Sequence, residues 1–170
     1  MRSVKALRRL CENEVRSLDL DLPFDAVQLC EKYGKRRGRD ILVISQPLPV
    51  GMPNGLWLVG DDADYFFYQA NTSRTHRDQI IIHEFGHLIA GHQNAGPTAA
   101  APQTAEMSSP EADAALHRTC YDDEHEWEAE MIASIILGWA SEAGALAGRT
   151  AKHDSLRGIQ RALGGHSRWL

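Results

Sequence analysis

The sequence predicts an α+β fold in which helices at both ends bracket a small three-stranded, mostly antiparallel sheet. Three observations carry this. Apolar residues recur at steps of three and four before residue 34 and again after residue 74. Between them lie three short β-branched and aromatic runs, separated by Gly, Asp, Asn and Pro. The helix after these runs carries the pattern His-Glu-x-x-His, and the sheet is expected to pack on it.

Taking the elements in order, Val4, Leu7, Cys11, Val15 and Leu18 share one helix face, over about residues 2–19. Pro23 opens a second helix with Phe24, Val27 and Cys30 or Tyr33 inward, and Gly34 is expected to stop it. Strands follow at 41–45, 56–59 and 65–68, with turn chemistry at Gly51–Gly55 and at Gly60-Asp61-Asp62. Asn71, Thr72 and Ser73 offer N-caps for a helix over about 74–92. Its Ile80, Ile81, Ile82, Phe85, Leu88 and Ile89 wrap most of its circumference, so it should be buried. Residues 93–113, rich in Ala, Pro, Ser and Thr, read as a mobile loop. A helix over about 122–142, broken by Gly144 and Gly148, and a short one over 154–163 complete the chain. The expected organisation is one domain over 1–145 and a basic tail over 146–170.

Composition narrows the function. With 43% hydrophobic and 24% charged residues the chain is an ordinary folding sequence. No uninterrupted apolar run approaches the roughly 18 residues of a membrane span, and the first residues carry no signal-peptide pattern. Cys11, Cys30 and Cys120 form no CxxC and fit a reducing cytoplasm, the expected location. The net charge of −5 hides a basic start, a middle of −12 over 41–148, and a basic end. The acidic middle argues against direct nucleic-acid binding.

His83-Glu84-Phe85-Gly86-His87 carries the chemistry. Residues i and i+4 leave a helix on the same face about 6 Å apart. Two imidazoles so placed can hold one Zn²⁺ through bonds of roughly 2.0–2.1 Å. Glu84, beside a ligand, suits a general base. Gly86 costs about 1 kcal/mol inside a helix, and a close neighbour on that face, the sheet or the helix bearing the third ligand, would explain it.

A catalytic zinc needs a third protein ligand and an open position. His92 is out of register for a third histidine, and a hydrogen-bonding role near the helix end suits it better. On the second helix Ile132, Ile135 and Trp139 define an inward stripe that Glu128 extends, with Glu124 one turn earlier as runner-up. Glu126 and Glu130 lie about 160° away from Glu128 at 100° per residue and are expected to face solvent. No spacing places an oxyanion stabiliser; Tyr68, His117, Tyr121 and His125 are the candidates.

His83-Glu-Phe-Gly-His87-Leu-Ile-Ala-Gly-His92, with Glu126-Trp-Glu-Ala-Glu-Met-Ile-Ala-Ser-Ile-Ile-Leu137, resembles the ImmA/IrrE metallopeptidases over about residues 1–140. The resemblance implies a zincin-like fold, with His83, His87 and Glu128 as zinc ligands and Glu84 as the catalytic residue. It further implies a bacterial or phage zinc endopeptidase that cleaves a helix-turn-helix transcriptional repressor and so regulates gene expression. Two alternatives stand beside it. One is a zincin-fold binding partner or toxin component acting without proteolysis. The other is a zinc hydrolase of a non-peptide substrate.

Overall fold

The computed structural model describes residues 1–48, 53–92 and 123–162, the last fifteen of these by their backbone alone. The order is α1 (Val4–Val15), α2 (Ala26–Arg37), β1 (Ile41–Gln46), β2 (Gly55–Val59), β3 (Asp64–Gln69), α3 (Arg74–Ala90) and α4 (Asp123–Ala162). The architecture is α+β, with four helices and a small mixed sheet among the described residues.

Capping sets the helix starts. The Ser3 hydroxyl accepts from the Ala6 amide, Asp25 from the amides of Val27 and Gln28, and Ser73 from the His76 amide. α2 therefore starts at Ala26, behind its Asp25 cap, rather than at Pro23. It also runs through Gly34, where a stop is expected, and ends at Gly38, whose φ of 72° suits a left-handed cap. Gly34 serves packing instead. A Cβ there would stand 3.0 Å from the Arg39 carbonyl oxygen and 3.1 Å from the Ile41 amide nitrogen, where β1 begins. Likewise α4 does not break at Gly144 or Gly148. A helical glycine costs only about 1 kcal/mol, which does not by itself end a helix. The expected loop over 93–113 and the last residues of the tail lie outside the described residues.

The sheet order is β1-β3-β2. β2 and β3 pair antiparallel from Gly55↔Tyr68 to Val59↔Asp64, but β1 and β3 pair parallel from Ile41↔Asp64 to Gln46↔Gln69. The expectation of a mostly antiparallel sheet is corrected to a mixed one. The short turn after Val59, closed by Gly60 N–H donating to the Ala63 carbonyl, forces β2 and β3 antiparallel. β3 occupies the central position, so β2 lies on the outer edge. Strand composition identifies the strands without specifying their order.

Alternation divides the sheet. Ile41, Trp57 and Phe66 join the main core with Ile81, Ile82 and Phe85 of α3, while Leu56 and Phe67 form a small cluster of their own. The main core continues through Leu7 and Cys11 of α1, Leu29 and Cys30 of α2, and Ile132, Ala133 and Ile136 of α4. Tyr33 meets Phe85 edge-to-face at 4.9 Å between centroids. At the base of the hairpin the buried Asp64 accepts from Trp57 Nε1 at 3.1 Å, from Arg39 Nε at 3.2 Å and from Arg37. Within residues 123–147 an 18-residue window reaches a mean hydropathy of 1.2, apolar enough by length and composition to cross a bilayer. In the fold, one side of this stretch, including Ala129, Ile132 and Ile136, is buried in the core.

α3 and α4 touch through their backbones. A Cβ on Gly86 would lie 2.9 Å from the Ala129 carbonyl oxygen and 3.0 Å from its Cα. The close neighbour expected for Gly86 is thus the second helix, and this contact positions the site.

Candidate metal centre

His83 and His87 stand three residues before and one after Gly86; Glu126 and Glu130 stand three before and one after Ala129. With the two small residues in contact, the flanking side chains converge. His83 Nε2 is 3.1 Å from His87 Nε2 and 3.2 Å from Glu126 Oε2, while His87 Nε2 is 3.6 Å from Glu126 Oε1. Tetrahedral bonds of about 2.0–2.1 Å put ligand atoms roughly 3.3–3.4 Å apart, so this donor set fits one Zn²⁺. The donor atoms of His83, His87 and Glu126 form the metal-sized cluster among the described residues.

Glu128 is not among them. It is buried as its helix phase requires, but against different partners. Its carboxylate accepts from the Arg2 amide and guanidinium and lies 3.2 Å from His92 Nε2. Glu126, a residue read from the sequence as solvated, stands beside the two histidines where Glu128 was expected. The stripe argument identifies a side chain turned inward, not which neighbour it meets. Glu126 is about half exposed because it lies at the rim of a cleft. A signal for it was present: the Ala129 flank repeats the spacing of the Gly86 flank. Glu124, the runner-up, lies away from the cluster on the exposed first turn of α4.

Glu84, turned roughly 100° from His83 around the helix, points towards β2. Gly55 makes room for it, since a Cβ there would come within 2.6 Å of Glu84 Oε1. Burial pushes the Glu84 carboxyl up to about 7, although nearby His83 and the Trp57 amide favour its charged form. A carboxyl in that range suits proton transfer at neutral pH.

The histidines differ. Burial, reinforced by the neighbouring His83 and His92, pushes His87 down to about 2, so it stays neutral, as a ligand must be. Burial also acts to lower His83, but Glu126, Glu84 and Glu130 outweigh it and leave it above its ordinary value. His92 hydrogen-bonds at the helix end as expected, its Nδ1 2.9 Å from His87 Nδ1.

His83, Glu84, His87 and Glu126 line one side of a cleft of about 470 Å³, and β2 with Asn54, Gly55, Leu56 and Trp57 lines the other. His76 and Gln79 of α3, with Glu130 of α4, extend its wall. Of the oxyanion candidates, Tyr68 packs against the core and His125 stacks on His92 at 4.2 Å between centroids, both outside the cleft lining. His117 and Tyr121 lie outside the described residues.

No family model matches the chain, and neither a curated protein nor a solved structure matches it.

Proposed function

We propose that the chain is a zinc-dependent endopeptidase with a zincin-like fold, in which His83, His87 and Glu126 hold the metal and Glu84 is the general base. The observation that carries this is the combination, in one open cleft, of three convergent donors with a separately held, buried carboxyl. A purely structural site would have no use for a poised acid beside it, and a closed fourth position would suit it better.

When bound, zinc would supply a Lewis acid that polarises a carbonyl and acidifies water. Glu84 takes a proton from the attacking water and returns it to the departing amine nitrogen. Gly55, lacking a side chain, leaves space for the Glu84 carboxyl at the wall of the cleft. β2 is an outer strand of the sheet and forms one wall of that cleft, which suits an extended polypeptide.

The substrate we propose is a helix-turn-helix transcriptional repressor, on the strength of the motif resemblance, with the reaction taking place in the cytoplasm. The test pairs the parent with Glu84→Gln, which keeps the shape and removes the base. Zinc content should be equal in both, and repressor cleavage should fall by about 10²–10⁴ in the variant. Equal derepression by both proteins in cells, with the repressor intact, would rule out proteolysis in favour of a binding role.

A further inference from the structure

The end of α3 is built to bring His92 back onto His87. Gly91 adopts φ 69°, its amide donates to the Leu88 carbonyl, and the His92 amide donates to the His87 carbonyl. This is the Schellman arrangement, in which the second residue past the cap lies over the last turn. An apolar contact commonly fills that position. Here two imidazoles meet instead, Nδ1 to Nδ1 at 2.9 Å.

We infer that His92, Glu128 and Arg2 form a positioning chain that fixes the tautomer and ring orientation of His87, so that its Nε2 faces His83 and Glu126. Its functional consequence rests on the metal-binding reading above; the chain of hydrogen bonds does not. With both rings neutral, one arrangement gives each of these donors an acceptor. Glu128 accepts from Arg2 twice, so it is a carboxylate. His92 Nε2, 3.2 Å from that carboxylate, carries the proton. His92 Nδ1 is then the lone pair that accepts from His87 Nδ1–H. His87 Nε2 is left as an acceptor, 3.1 Å from His83 Nε2 and 3.6 Å from Glu126 Oε1.

The chain is anchored at both ends. The Arg2 guanidinium also donates to the Ala90 carbonyl at 2.8 Å, so it ties α4 to the last turn of α3 at the same point. His87, His92 and Glu128 are all nearly inaccessible, whereas the Arg2 side chain is about half exposed. Arg2 is thus the link that can be removed without opening the core.

The experiment uses Arg2→Ala, Glu128→Gln and Glu126→Gln with two readouts. Imidazole ¹⁵N spectra of the metal-free proteins report tautomers, and competition with a chromophoric chelator reports zinc affinity. The parent should show His87 protonated on Nδ1 and His92 on Nε2. Arg2→Ala and Glu128→Gln should perturb this pattern and weaken zinc binding by about 10- to 100-fold. Glu126→Gln should abolish zinc binding and leave the tautomers unchanged. The proposal falls if His87 in the parent carries its proton on Nε2, or if both Arg2→Ala and Glu128→Gln leave the tautomers and affinity unaltered. It also falls if Glu128→Gln abolishes zinc binding while Glu126→Gln does not, since Glu128 would then be a ligand. A parent that binds no zinc would remove the functional reading, and the tautomer pattern alone would decide the chain.

Discussion

Glu126 and Glu128, two residues apart on α4, serve the two different nitrogens of His87. Glu126 Oε1 lies 3.6 Å from Nε2, whereas Glu128 reaches Nδ1 through His92, with steps of 3.2 and 2.9 Å. Two acids that sequence periodicity assigns to opposite fates, ligand and solvent, thus bracket one imidazole.

Removal of Glu126 should cost the metal. Glu126→Ala is expected to lose zinc occupancy, while Glu130→Ala, whose carboxylate is 3.6 Å from His83 Nδ1 rather than at the convergent atoms, should keep it. Metal analysis of the two purified variants checks this. Full occupancy in Glu126→Ala would overturn the donor set.

Gly86→Ala tests the helix contact. The added Cβ would stand 2.9 Å from the Ala129 carbonyl oxygen, a backbone atom that cannot rotate away. Overpacking costs about 1–3 kcal/mol, against roughly 1 kcal/mol gained in helix propensity. The variant should melt at a lower temperature and bind zinc more weakly. Gly138→Ala, with open space around the new Cβ, should instead gain up to about 1 kcal/mol. Calorimetry of the pair separates propensity from contact.

Asp64→Ala should be among the costlier single changes. It removes one partner from each of Arg37, Arg39 and the Trp57 indole, the last of which is in the core. Breaking a buried ion pair costs about 3–5 kcal/mol, and the partly exposed arginines place this case at the low end. Urea denaturation measures it. A loss below about 1 kcal/mol would mean that the network is replaceable by water.

Cys11 and Cys30 should resist alkylation in the native protein at pH 8 and react on unfolding. Both are fully buried, and burial raises both thiols, Cys11 to about 11. The raised folded value means that their share of stability is complete below the ordinary thiol pKa of 9.0 and is lost as pH climbs from there through about 11. Mass mapping after iodoacetamide treatment, and melting temperatures between pH 8 and 11, check the two halves of this statement.

Much of the fold was legible because it follows from local periodicity. The α1 residues Leu7, Cys11 and Val15 are buried as their spacing requires, and Ser73 caps α3. What was not legible depends on tertiary neighbours. The parallel pairing of β1 with β3 follows from the strand order, in which β3 rather than β2 lies beside β1. Gly34 and Gly144 read as stops, but a glycine inside a helix is also what a close backbone or a tolerated defect looks like. At the site, His83, Glu84 and His87 were fixed by one helix and so could be placed from sequence alone. The third ligand depends on how two helices cross, and a stripe computed on one helix cannot contain that angle.

The contact of Gly86 with Ala129 divides the seam between α3 and α4 into parts with different tolerance to mutation. Because main chain meets main chain there, the separation of imidazoles and carboxylate is set independently of the larger side chains around it. Ile132, Ile136 or Phe85 can drift among similar volumes and cost stability without recalibrating the donor distances. A single methyl at residue 86 cannot be absorbed that way, since it moves both histidine–carboxylate pairs at once. The chain therefore has a brittle axis two residues wide, set within a forgiving core.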